Sequence, residues 1–440
     1  MTAALATYRK VIALGGPLLP AVSFFGRLPT AMCQLGSLLL VTKTSGSLAT
    51  AGLVGGALAA GQTVAGPLIG RLADRHGQRP VVLAACWLNA VAVSALVLAA
   101  LARLPLAPLA LLGLLAGASV PQIGPLARTR TVALARRAGG DERLITTALS
   151  WEGTLDEVSF VLGPALVGLA AAVAHPAAAL LLAAALLAGC GTAFALHRTA
   201  VAGRADTGEG RSRGRRDGAR TRRGPVRTRR RARARMPRAV HALRVSMALQ
   251  GAMFGACQAG ITALTERWGR PEQAGLIYAA MGVMSAVAGL AMAAVPARIG
   301  LPVRRRVAAA GLVALAAPLL FVASLGMLYL VVIVLGVAFA PHLITIFGLT
   351  ERVVPPARLA ESMAFLTSAI VGGQALALAA SGRLAEAYGP AAAFAVAVGA
   401  AVVVLVLALA ARGAGRPAEP GPAAAPSPAP AASGEGRSGH

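Results

Sequence analysis

The sequence predicts an all-α membrane protein of twelve transmembrane helices, and three observations carry that reading. The chain of 440 residues is 57% hydrophobic and only 13% charged, where a soluble chain carries about 25% charged residues. Its apolar residues come in long uninterrupted blocks, each near the roughly 20 residues that cross a hydrocarbon core. The blocks are runs of Ala, Leu and Val without the alternation of barrel strands. Helices are then the remaining way to pair every backbone group in lipid.

The spans follow in order. The first covers 14–41, entered behind Arg9 and Lys10. No convincing small-x-small cleavage site follows it, so it reads as an uncleaved span and not a leader. The second covers 48–69, and the basic loop 71–79 separates it from the third at 81–101. The fourth, 106–126, ends where the basic loop 128–143 begins. The fifth and sixth cover 144–174 and 177–196. After a basic linker come 240–264 and 274–295. The loop 298–306 introduces the ninth at 307–325. The last three cover 328–349, 359–384 and 391–411.

Charge sets the orientation expected. With the N-terminus inside, 36 of the 42 Lys and Arg fall on the inner side and five on the outer: Lys43, Arg103, Arg267, Arg270 and Arg383. Arg27 lies within the first span. Both termini are therefore expected in the cytoplasm and the chain in the cell membrane. Of the 42, 17 lie between Arg198 and Arg244. The net charge of +26 is thus largely one hydrophilic stretch, read as a solvated connector, with anionic lipid as the alternative partner and no nucleic acid expected. The organisation expected is a six-helix bundle over 1–197, the linker over 198–239, a second six-helix bundle over 240–412, and a disordered Pro/Ala/Gly/Ser tail over 413–440. The halves look like repeats: His175-Pro-Ala-Ala-Ala before the sixth span recurs as Gly389-Pro-Ala-Ala-Ala before the twelfth.

Several chemistries are not expected. Cys33, Cys86, Cys190 and Cys257 each stand alone in apolar blocks, without metal-ligand spacing or a disulfide pattern. No phosphate loop, zinc motif or nucleophile elbow appears. The expectation is a chain with no metal, no cofactor and no enzyme activity.

The sharpest local signal is Gly-Arg-Leu-Ala-Asp-Arg-His-Gly-Gln-Arg at 70–79, between the second and third spans. Gly70 permits close helix approach, Asp74 suits a helix terminus, Gly77 supplies a turn conformation, and Arg75 and Arg79 suit the inner interface. This loop resembles the signature loop of the major facilitator superfamily, at the expected place. The resemblance implies two six-helix bundles related by a pseudo-two-fold axis, and a loop that latches their inner ends and gates alternating access. The fifth span carries Gly163, Pro164 and Gly168, which partly resemble the packing motif of the superfamily's proton-driven exporters. Within the superfamily the chain looks closest to actinobacterial drug and metabolite exporters.

Buried charge is the more physical clue. Arg27 lies inside the first span, and Glu152, Asp156 and Glu157 inside the fifth. Glu152 and Asp156 are one turn apart on one face. Ionised groups at mid-bilayer cost at least about 2.5–3.5 kcal/mol, so they pair or face a wet cavity. The expectation is that Arg27 pairs with Asp156 or Glu152 and that a remaining acid couples transport to protons; an ion pair that only locks the two spans is the alternative. The exporters' usual Arg in the fourth span is absent, its place taken by Gly113 ahead of Gly117. The resemblance makes the first, fourth, seventh and tenth spans line the cavity, so Gln34, Gln122, Gln258 and His342 are candidate substrate contacts, with plain interhelical hydrogen bonding as the alternative.

The function expected is a monomeric secondary transporter that exports a small organic molecule in exchange for protons. Uptake of a metabolite, or a non-transporting sensor or scaffold, are the rival readings.

Overall fold

The computed structural model describes residues 2–201, 238–270, 273–296 and 298–410, and every regular element among them is helical. The linker at 198–239 is described only at its two ends, and the tail at 413–440 lies outside the described residues.

The chain opens with a separate short helix, α1 (Thr2–Gly15), followed by α2 (Leu18–Ser45). This corrects the single span expected from residue 14. Gly16 sits at φ +76° and Pro17 follows it, so the left-handed turn and the missing N–H end one helix and begin another. The second and third spans are α3 (Leu48–His76) and α4 (Gln78–Leu101). The fourth differs most from expectation. It is two helices, α5 (Leu106–Ala118) and α6 (Ile123–Arg137), joined by a break in which Gln122 takes φ +55°. The span therefore runs eleven residues past the expected end, through Arg128 and Arg130.

The fifth span is α7 (Glu142–Val173), capped by the Asp141 carboxylate on the Leu144 N–H at 2.9 Å. The sixth is α8 (Pro176–Leu186), a wider π turn at Leu187–Gly191, and α9 (Thr192–Leu196). Then come α10 (Arg238–Arg267), α11 (Gln273–Ala291), α12 (Leu301–Ala316) with a 3-10 extension to Phe321, α13 (Leu325–Val353), α14 (Leu359–Tyr388) and α15 (Pro390–Ala410). The repeated Pro-Ala-Ala-Ala opens α8 and α15 alike, with Pro in the first turn, where a missing N–H costs nothing.

Among the described residues, ten spans are long and apolar enough to cross a membrane by composition. The more polar α10 and the shorter α12 complete the twelve. Each bundle has its own apolar core, one built around Leu28, Met32, Leu40 and Leu180, the other around Met253, Phe339, Phe394 and Val404. A further cluster joins them, with Val132 and Leu149 of the first bundle against Met247, Ile344 and Phe347 of the second. Across the interface α3 packs on α14 and α7 on α11. Glycines allow both contacts: a Cβ on Gly70 would stand 2.6 Å from the Ala360 carbonyl, and one on Gly289 3.0 Å from Thr154 Oγ1. Gly70 thus serves the approach of the second span to the eleventh, across the bundles, and not only the adjoining turn. The end of the molecule carrying the turns at Gly77, 138–141 and 298–300, with the arginines that flank them, is its basic end.

Candidate functional site

Helix α2 carries Arg27 into the first bundle's interior, with Ser23 one turn earlier on the same face. Helix α7 brings Glu152 and Asp156, also one turn apart. Arg27 Nη1 donates to Asp156 Oδ1 and to the Glu152 backbone carbonyl, each at 2.9 Å. Its Nη2 donates to Ser23 Oγ at 2.8 Å and pairs with Glu152 Oε2. Both acids expected as alternative partners are therefore engaged by one guanidinium. Thr131 Oγ1 donates to Glu152 Oε1 at 2.8 Å.

A fourth member comes from α6. Arg128 is only 1% exposed and pairs through Nη2 with Asp156 Oδ2. Its guanidinium lies 3.8 Å from the ring centroid of Phe347, on α13 of the other bundle. Gly124 lets α6 come this close, since a Cβ there would stand 2.9 Å from Asp156 Oδ1. The result is two guanidinium groups facing two carboxylates at the bundle interface. Glu157, one residue on, points elsewhere; it is 7% exposed and forms no ion pair among the described residues.

The sequence reading placed Arg128 in a basic loop, which the structure corrects. Charges signal the end of a span only when nothing inside neutralises them, and here Asp156 does. Arg130 is buried in the span as well, held by neutral partners. It is fully buried, donates to Gln78 Oε1 at 3.1 and 2.9 Å and to the Phe194 carbonyl at 2.9 Å, and stacks on the Phe194 ring at 3.9 Å. Gln78 returns an N–H to Thr129 Oγ1 at 3.0 Å. Gln78 therefore ties the 70–79 loop to the fourth span, and neither it nor Arg128 was singled out. The one signal available was the dense run of Arg and Thr at 128–131, which continues a helix whose buried face can be polar. Beside this network, burial and then the charges of Arg130 and Arg198 push the His197 imidazole below its ordinary value.

At the basic end, the Asp74 carboxylate accepts from the backbone N–H of Glu361 at 2.8 Å and of Ala360 at 3.2 Å, in the first turn of α14. A negative charge is well placed there, facing free N–H groups and the positive end of the helix dipole. Gly77 takes φ +91° between α3 and α4. Arg75 and Arg79 are exposed, with no ion pair among the described residues. Two further pairs cross the interface, Arg136 with Glu351 and Arg352 with Glu142.

The Gly163-Pro164-Gly168 segment divides. A Cβ on Gly163 would stand 2.8 Å from Ala31 Cβ and 3.3 Å from the Met32 nitrogen, so this glycine does seat α7 against α2. Gly168 has nothing within 4 Å and is exposed, so its packing role is corrected: it lies on the bundle's outer face. Pro164 lies within α7, which continues through it.

No hydrogen bond among the described residues links any two of Gln34, Gln122, Gln258 and His342. Gln34 is half-buried on α2. Gln122 sits at the break of the fourth span. Gln258 Oε1 accepts from Gln374 Nε2 at 3.4 Å. His342 is fully buried, its Nδ1 2.6 Å from Gln250 Oε1, while Gln250 Nε2 donates to the Phe339 carbonyl at 2.9 Å. With the amide N–H spent on that carbonyl, its oxygen accepts, and His342 Nδ1 carries the proton.

A family model described as Major Facilitator Superfamily matches residues 21–265 and 245–437. No curated protein matches the sequence. Among solved structures, the human organic anion transporter MFSD10 is similar at 18% identity and TM-score 0.65, covering 89% of this chain and 99% of that one. A bacterial homologue of the iron transporter ferroportin, in an outward-facing state, is similar at 16% identity and TM-score 0.68, covering 90% and 98%. The E. coli fucose:proton symporter FucP is similar at 15% identity and TM-score 0.61, covering 89% and 97%.

Proposed function

Because the chain belongs to the major facilitator superfamily, a family of membrane transporters, we propose that it exports a small organic molecule across the cell membrane in exchange for protons, acting as a monomer by alternating access. The observation that carries this reading is the charged cluster in the first bundle. Four ionised groups in a membrane interior are costly to keep unless they pair or work. Arg27 and Arg128 balance Glu152 and Asp156, which leaves Glu157 as the carboxylate without a guanidinium. A carboxylate so placed stays neutral only by carrying a proton, and it is the group we assign to coupling. The fucose:proton symporter, which shares the fold, is described as proton-coupled.

By the positive-inside rule the basic end faces the cytoplasm. The contact of Asp74 with α14 and the pairs Arg136–Glu351 and Arg352–Glu142 then form a latch on the cytoplasmic side. Opening that side requires breaking all three. Similarity to the outward-facing ferroportin homologue supports a closed inner side in this state.

Inverted vesicles energised by a proton gradient and offered a panel of dyes and antibiotics test the proposal, with Glu157→Gln and Asp156→Asn beside the wild type. Gradient-driven accumulation that falls at least tenfold in Glu157→Gln supports it. Full accumulation in both variants rejects coupling through the fifth span. Uptake of a nutrient in the opposite direction would replace export by import, and the absence of any transport would favour a sensor or scaffold.

A further inference from the structure

At the basic end, between the bundles, lies a cavity of about 410 Å³. It falls within the range of about 300–1,000 Å³ typical of small-molecule sites, and it is separate from the Arg27 cluster. Its walls come from the start of α7, the end of α13, the start of α12 and the 3-10 turn after α11.

Two features define its chemistry. The first is charge. Arg136, Arg304 and Arg352 line it with Glu142 and Glu351. Arg136 pairs with Glu351 and Arg352 with Glu142, so Arg304 is the cation left over. Arg304 is 7% exposed and forms no ion pair among the described residues. Its Nε donates to the Ile299 carbonyl at 2.8 Å and its Nη2 to the carbonyls of Pro296 at 3.0 Å and Val295 at 3.4 Å, while Nη1 has no partner among the described residues. A guanidinium keeps its charge at any working pH. Three carbonyl dipoles hold it in place without a counter-ion. The second feature is the apolar wall of Leu149, Met292, Leu301 and Ile344, which an inorganic anion would leave uncovered.

We propose that this cavity binds an amphiphilic anion, a single phosphate or carboxylate head on an apolar chain, with the head toward Arg304 and the chain against Leu149 and Met292. Its depth, at the basic boundary of the spans, is where anionic lipid heads lie. A ligand seated there touches both bundles and adds to the contacts that hold the basic end shut. The inference concerns a second site and does not rest on the transport reading.

The test is binding to the purified full-length protein in neutral detergent, read by native mass spectrometry and by thermal melting. The probes are dioctanoyl phosphatidylglycerol, its phosphatidylcholine counterpart, decanoate and inorganic phosphate. The variants are Arg304→Gln and Thr146→Trp, which fills the same cavity from the first bundle. Saturable binding of the anionic lipid, at least tenfold weaker in both variants, supports the proposal with the bilayer as source. Decanoate binding with the same dependence, and no lipid binding, supports it with a soluble source. Inorganic phosphate bound as tightly as either amphiphile overturns the apolar half. Equal binding of the neutral lipid, or binding unchanged in both variants, overturns the whole. Should Arg304→Gln fail to fold, Thr146→Trp leaves the carbonyl contacts of Arg304 intact and decides the matter alone.

Discussion

The first and fifth spans, α2 and α7, occupy the same place in their bundle as the seventh and eleventh, α10 and α14, do in theirs, yet the two pairs are joined by a different balance of contacts. Charge ties α2 to α7, through Arg27 on Glu152 and Asp156. Glycine joins α10 to α14: a Cβ on Gly251, Gly255 or Gly373 would run into the backbone of Ile370, Gln374 or Ala248 respectively. The second bundle has in its interior the hydrogen-bonded pair Gln250 and His342. Close backbone contact through small residues is how helices associate where lipid removes the hydrophobic drive; it is dry and has a single geometry. An ion pair can be opened by a proton or a competing charge. The asymmetry teaches that the bundles share an architecture but divide the chemistry: the acids that face Arg27 and Arg128 lie in the first, and close glycine contacts frame the second.

The largest expected effect tests the charged side. Arg27→Gln leaves Glu152 and Asp156 facing one guanidinium, and breaking a buried pair costs about 3–5 kcal/mol. Thermal melting in detergent should show a large loss of stability, and a change below about 1 kcal/mol would remove the contrast between the bundles. Gly373→Leu tests the glycine side. Overpacking of this kind costs about 1–3 kcal/mol, and tolerance of leucine in the same melting assay would mean that α10 and α14 are not held by close contact.

Gln250→Ala sharpens the comparison with a buried hydrogen bond of the second bundle. It leaves the Phe339 carbonyl and His342 Nδ1 without their partner, at about 1–3 kcal/mol. A loss matching that of Arg27→Gln would show that charge adds nothing to the first bundle beyond a neutral hydrogen bond. The smallest effect is expected from Gly168→Ala. With open space around it, alanine should leave stability unchanged or raise it by up to about 1 kcal/mol through helix propensity, whereas Gly163→Ala should lower it. Equal effects from the two would contradict the assignment of Gly163 to the α2 contact.

How much of this was legible in the sequence depended on whether a residue stood out against its own segment. Arg27, Glu152, Asp156 and Glu157 did, because charge inside an apolar block has few structural excuses. Asp74 did, through its loop pattern, although that pattern says nothing of the Ala360 and Glu361 N–H groups it reaches. Arg128 did not: sequence alone cannot tell a charge that closes a span from one that a partner 28 positions away neutralises within it. Gln78 and the pairs Arg352–Glu142 and Arg136–Glu351 were invisible for the same reason.

By itself, then, the sequence determined the helical membrane class, the six-plus-six division and the presence of buried charge. Each of these follows from local composition against the fixed thickness and low polarity of a bilayer. Tertiary structure alone decided which charges meet, where the fourth span breaks, which glycines pack and where a cavity opens between the bundles. Those are relations between helices far apart in the chain, and a side chain's energy in the membrane depends on the neighbour that the fold brings to it.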